Sequence, residues 1–96
     1  MPRVVFAPAA LRDLERLRAF LRPKSPAAAK RAGEAIVQGV QDLGAHPRMG
    51  RTIENLPEQY RDWLIDFGNS GYVARYRVDA DVVTILALRH QKEAGF

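Results

Sequence analysis

Tyr60-Arg61-Asp62-Trp63-Leu64-Ile65-Asp66-Phe67, Gly68-Asn69-Ser70-Gly71, Tyr72-Val73-Ala74-Arg75-Tyr76-Arg77-Val78: this stretch decides the fold. Side chains alternate in kind on both sides of a short turn, the pattern of two half-buried antiparallel strands joined as a hairpin. In the first strand Trp63, Ile65 and Phe67 share the face assigned to the core, with Arg61 at its edge. Tyr60, Asp62, Leu64 and Asp66 take the other face. The second strand opposes Tyr72, Ala74, Tyr76 and Val78 to Val73, Arg75 and Arg77. Asp79-Ala80-Asp81 closes another tight turn. Val82–Leu88 is nearly all apolar, as expected of a central strand covered on both faces. Arg89-His90 follow at once, so cations line one strand and the exit of the last, a basic platform.

Upstream, the period changes from two to between three and four. Leu11, Leu14, Leu17 and Leu21 predict an amphipathic helix over Ala9–Leu21, with Pro8 in its first turn and no side-chain acceptor at Ala7. Pro23-Lys24-Ser25-Pro26 ends it and starts another: Ser25 is an N-cap and Pro26 the first helical residue. The second helix is predicted to reach about Leu43, burying Ala29, Ala32, Ile36, Val40 and Leu43, with Gly44 as a left-handed C-terminal cap. So short a link makes the two helices antiparallel. Arg3–Phe6 is a short β-prone run. Ala45–Gln59, with His46-Pro47, Met49-Gly50 and Leu56-Pro57, reads as a crossing loop. The fold class is α+β, in the order β-α-α-β-β-β: an N-terminal helical hairpin on a small, mainly antiparallel sheet. The whole 1–96 stretch is one domain.

Composition narrows the function classes. No cysteine is present, which excludes disulfides and thiolate zinc sites and fits a reducing cytosol. Two distant histidines without clustered carboxylates argue against a metal site. No apolar run approaches the ~20 residues of a membrane-spanning helix, and Met1–Phe6 lacks a signal-peptide core, so the chain reads as soluble and cytoplasmic with no membrane partner. The net charge of +4 suits an anionic partner, and Arg12–Arg31 concentrates it: seven Lys/Arg against Asp13 and Glu15. For Arg61 and Arg75 the plainer expectation is an ion pair with Asp62, Asp66 or Asp79. For His90 it is a strand-end residue hydrogen-bonded to nearby backbone, and for His46 a loop position.

The element order resembles that of the RelE/ParE toxin superfamily. So do Pro-Ala-Ala-Leu-Arg-Asp-Leu at Pro8–Leu14, Tyr60-Arg61, Ser-Gly-Tyr-Val-Ala-Arg-Tyr-Arg-Val at Ser70–Val78, and Leu88-Arg89-His90. The similarity covers essentially the whole chain and lies in the order and spacing of the motifs. It implies the toxin of a bacterial type II toxin–antitoxin module. Two activities divide the superfamily: RelE-like members cut mRNA on the ribosome, whereas ParE-like members poison DNA gyrase and lack the nuclease residues. Relative to the RelE pattern, Arg61 keeps a cation where lysine is expected. Trp63 and Val73 replace a catalytic lysine and an arginine, His90 stands at an arginine position, and Phe96 at that of a catalytic tyrosine. Trp63, Val73 and Phe96 cannot move a proton or neutralise a phosphate.

The resemblance therefore implies, first, a ParE-like gyrase inhibitor, with Arg61, Arg75, Arg89, His90 and Phe96 as target-binding residues. The alternative is a RelE-like endonuclease in which Arg61, Arg89 and His90 are catalytic and the ribosome and its mRNA are the partners; a third is a module that binds its antitoxin without poisoning anything. All three imply a cognate antitoxin, with an acidic C-terminal segment docking on Leu14, Leu17, Arg18 and Leu21 or on the exposed sheet edge. No cofactor is implied.

Overall fold

The structure, a computed structural model, describes residues 2–93 and 95–96. Its elements are β1 (Arg3–Phe6), α1 (Pro8–Leu21), α2 (Pro26–Ala45), β2 (Arg51–Thr52), β3 (Tyr60–Phe67), β4 (Ser70–Asp79) and β5 (Val82–His90). One sheet, in the order β1-β5-β4-β3-β2, is antiparallel except where β1 runs parallel to β5. The helical hairpin packs on one face, and the core lies between: Leu17, Ile36, Val40 and Leu43 from the helices, Ile65, Tyr76, Ile85 and Leu88 from the strands. The expected α+β architecture is thus present, with one short strand more.

Local chemistry accounts for the hairpin. Ser25 accepts the Ala28 N–H at 3.1 Å, and Pro26 opens α2 with no amide to waste. Ala7 provides no such cap; its extended backbone leaves the Ala7 carbonyl to accept from Ala10 and Leu11. Leu11 departs from the expected apolar stripe and is 53% exposed. Six residues from the buried Leu17, it lies about 120° around the helix from it. The expected left-handed cap at Gly44 is not formed: α2 continues through it to Ala45, and His46 is the C-cap, its N–H bonded to the Asp42 carbonyl at 3.2 Å. Gly44 instead makes room, since a Cβ there would stand 3.3 Å from Val4 Cγ2 of β1.

The strand faces follow the alternation. Tyr72, Ala74, Tyr76 and Val78 point to the helices, as does Ile65, with Trp63 and Phe67 packed beside it. β5 differs from the expectation of a central strand covered on both faces. The middle strand is β4, and helices cover β5 on one side alone. The pairing skips Leu86, so β5 buries Val83 and Ile85, then Leu88 rather than Ala87. This bulge shifts the inward face of the strand by one residue.

Beyond Phe6, which pairs with Ile85, no strand among the described residues pairs with β5 on its β1 side. Side chains of α1 take over. Asp13 Oδ2 accepts the Leu88 N–H at 2.9 Å, and Arg16 donates to the Leu88 carbonyl at 3.4 Å. Glu93 continues the series, accepting the His90 N–H at 2.9 Å and two bonds from Arg16 at 3.1 and 3.0 Å.

The Ala45–Gln59 crossing contains β2, whose Arg51 and Thr52 pair with Asp62 and Arg61. Two residues carry no readable period. Tyr76 holds this crossing to the sheet: its buried hydroxyl accepts the Gly50 N–H at 2.9 Å and donates to the Pro47 carbonyl at 2.8 Å. A Cβ at position 50 would fall 2.5 Å from that hydroxyl, so glycine is required there. Burial pushes the Tyr76 pKa up, against the opposing Gly50 N–H and the nearby Arg61 and Arg48, which keeps the donor proton in place. Replacing Tyr76 with Phe leaves both loop groups unpaired and is expected to cost about 1–3 kcal/mol. Urea unfolding followed by the fluorescence of Trp63, the one tryptophan, measures this; an unchanged midpoint would refute it.

Candidate functional site

The sheet divides the sequence-selected residues between its two faces. Arg75 pairs in register with Asp62 and Ala87, and its neighbour Val73 with Arg89, so these side chains share the face away from the helices. Arg75 donates to both oxygens of Asp62, at 3.0 and 3.2 Å, the ion pair expected of it. Asp62 is 9% exposed despite lying on the outer face. Arg89 has no carboxylate partner among the described residues; its Nη1 donates to the carbonyls of His90, Gln91 and Glu93 at 3.2, 3.3 and 3.1 Å. The Phe96 ring bridges the two cations, its centroid 4.4 Å from Arg75 Cζ and 5.0 Å from Arg89 Cζ. These stems and the ring leave Val73 2% exposed. Ala94, in the tail between, lies outside the described residues.

His90 leaves β5 on the opposite side. Paired with Tyr72, it meets that ring edge-on at 5.4 Å, and its Nδ1 accepts the Lys92 N–H at 3.1 Å. The strand-end expectation for His90 is met. His46, expected in a loop, is the C-cap of α2. Arg61 is elsewhere again. Paired with Tyr76, it also faces the helix side, but four residues of β4, about 13 Å, separate it from the level of His90. Its guanidinium donates to the Arg48 and Gly50 carbonyls at 3.1 and 2.8 Å, so it holds the crossing loop; Asp62, Asp66 and Asp79 are not its partners. Trp63 is similarly engaged, donating to the Gly39 carbonyl of α2 at 3.0 Å.

Of the residues read as antitoxin-binding, Leu17 is largely buried in the core and reaches the surface only as part of a cavity wall beside Leu21. Leu14 and Arg18 line a shallow groove between the helices with Gly33, Glu34 and Val37; Leu21 faces the β3–β4 end of the sheet, near Phe67 and Tyr72. Sequence reading missed Phe20, 65% exposed beside Leu21. Its signal is a large aromatic just off the apolar stripe. No group of three or more His, Cys, Asp or Glu suited to a metal exists among the described residues. No helix of the described residues is long and apolar enough to cross a membrane. The open face can bind through cations and an aromatic ring, and the helix side through apolar surface.

Residues 4–95 match the family described as ParE toxin of type II toxin–antitoxin system, parDE. The chain belongs to this family. It is a toxin of the RelE/ParE superfamily, from a type II toxin–antitoxin system. It is similar to toxin RelE3 of Caulobacter vibrioides, 39% identical over 97% of this chain and 98% of that one. Toxin RelE1 of the same organism is 33% identical over 88% and 87%. Among solved structures, that of the chromosomal ParDE system from P. aeruginosa shares the fold, with a TM-score of 0.75 at 20% identity over 94% of this chain and 96% of that one. The toxin–antitoxin complex RelBE2 from Mycobacterium tuberculosis gives 0.66 at 27% identity over 95% and 100%.

Within the toxin, Glu93 joins α1 to the turn after β5. Burial alone would raise its pKa; the His90 N–H and the Arg16 guanidinium outweigh that and hold the carboxyl below its ordinary value. A depressed carboxylate pKa contributes stability that is complete above the unfolded-state value and lost as pH falls through the folded one. Replacing Glu93 with Gln is therefore expected to destabilise the toxin at pH 7, by less than about 1 kcal/mol because solvent screens the pair. The difference from the native chain should vanish at acid pH, below the folded-state pKa. Unfolding midpoints at pH 7 and under acid conditions test this, and a gap that persists in acid would refute it.

Proposed function

We propose that this toxin acts by binding: it poisons DNA gyrase, breaks no bond itself, and is neutralised by a cognate antitoxin. The observation that carries the reading is the dispersal of Arg61, Arg89 and His90. Cleavage of RNA through its 2′-OH needs a base, an acid and cations gathered around one phosphate. Here Arg89 and His90 leave opposite faces of β5, and Arg61 is spent on the Arg48 and Gly50 carbonyls. Trp63 is bonded to α2, Val73 is covered, and Phe96 has no proton to transfer. What the open face offers is Arg75, Arg89 and Phe96, arginine and aromatic residues of the kind that anchor macromolecular contacts. The match of residues 4–95 to the ParE family supports the same reading.

The names of the curated relatives, RelE3 and RelE1, favour a second reading as a ribosome-dependent mRNA endonuclease using Arg61, Arg89 and His90. One pair of assays separates them. Purified toxin is expected to inhibit supercoiling by gyrase and to accumulate cleaved, gyrase-linked DNA, both reversed by the antitoxin. His90→Ala should retain this within about tenfold, whereas loss of a general acid–base group costs roughly 10²–10⁴-fold. Arg89→Ala and Phe96→Ala should each weaken it more than His90→Ala does. Unimpaired gyrase together with codon-positioned mRNA cleavage in a translating extract would reverse the assignment.

A further inference from the structure

Between the C-terminal half of α1 and the β3–β4 hairpin lies a cavity of about 450 Å³, with Leu17, Leu21, Phe67 and Tyr72 as its apolar lining and Phe20 and His90 at its sides. It has unused binding capacity. Tyr72 is 3% exposed, yet its hydroxyl hydrogen bonds to no group among the described residues. A hydroxyl on the cavity wall that no protein group engages can pair with a group brought in from outside. His90 accepts at Nδ1, which leaves Nε2 as its donor, with no acceptor among the described residues. Phe20 stands mostly in solvent, with the Lys24 ammonium 3.7 Å from its ring centroid.

The rim carries excess positive charge. Glu93 is occupied by Arg16 and by the His90 N–H, and Glu15 by Arg22 at 2.6 Å. Lys24 and Lys92 have no carboxylate partner among the described residues. The apolar lining gives a nucleic-acid phosphate nothing to bury, and a second copy of this cationic chain would bring like charges together. An acidic peptide with a large apolar side chain satisfies lining and rim together.

We propose that this cavity is the anchor site of the antitoxin: a large apolar side chain enters beside Phe20 and Tyr72, and neighbouring carboxylates meet Lys24 and Lys92. The proposal rests on the reading that an antitoxin neutralises this toxin. The test is titration of the toxin with its cognate antitoxin. Phe20→Glu is expected to weaken binding at least about 30-fold, the size of a hot-spot loss. Lys24→Glu should weaken it about tenfold at low salt and less at high salt. Tyr72→Phe, which removes the hydroxyl alone, should weaken it without altering the salt dependence. Leu11→Glu, also on an exposed part of α1, should bind as the native chain does. Because Phe20 and Leu11 are exposed, these variants should fold, which Trp63 fluorescence checks. Native binding with an unaffected Phe20→Glu variant would overturn the anchor site alone, as would an equal loss at Leu11→Glu. A native toxin that binds no antitoxin would overturn the neutralisation reading and the anchor site with it.

Discussion

Past Ile85 no strand among the described residues lies beside the edge of β5, and the carboxylate of Asp13 and guanidinium of Arg16 complete its hydrogen bonding from α1. An edge left unpaired against a helix would bury polar backbone without a partner, at a cost comparable to several surface contacts. Satisfying Leu88 in this way sets how far α1 slides along the sheet. The same guanidinium reaches Glu93, so the chain after β5 is placed by the helix that precedes the sheet. His90, Phe67, Tyr72 and Phe20 come together around one cavity because of that docking.

The arginines show why charge in sequence is a poor guide to charge at a site. Arg75 is neutralised by Asp62, Arg77 by Asp79 and Arg16 by Glu93, and Arg61 is absorbed by loop carbonyls. Arg89 is different, meeting carbonyl dipoles and the Phe96 ring and no carboxylate among the described residues. A guanidinium so placed keeps its charge available while losing most of its freedom to move, a suitable arrangement for a contact residue. Arg89 and His90, neighbours in the chain, serve different faces because successive strand residues point to opposite sides.

Much of the fold was legible. Ser25-Pro26, the leucine spacing of α1 and the alternation from Tyr60 to Val78 each encode local geometry, and each element forms where those signals lie. The misreadings have tertiary causes. Gly44 looks like a cap but accommodates Val4; Leu11 belongs to the leucine spacing but lies off the buried face; Val82–Leu88 looks doubly covered because a bulge resets its alternation. The candidate site was less legible. Arg61, Arg75, Arg89 and His90 stand out in the sequence as residue types, but which of them meet depends on strand register.

By itself the sequence determined the elements other than β2, their order, the core side of β3 and β4, and membership of a toxin superfamily. The elements and the core side rest on interactions between residues near in sequence or on their periodicity, and the membership on a resemblance in the order and spacing of motifs. Only the tertiary structure decided that Asp13 and Arg16 complete β5, that Tyr76 anchors the loop at Gly50, and that the selected cations fall on two faces. The first two depend on contacts across 75, 72 and 26 residues of chain, and the third on strand register, none of which local sequence encodes.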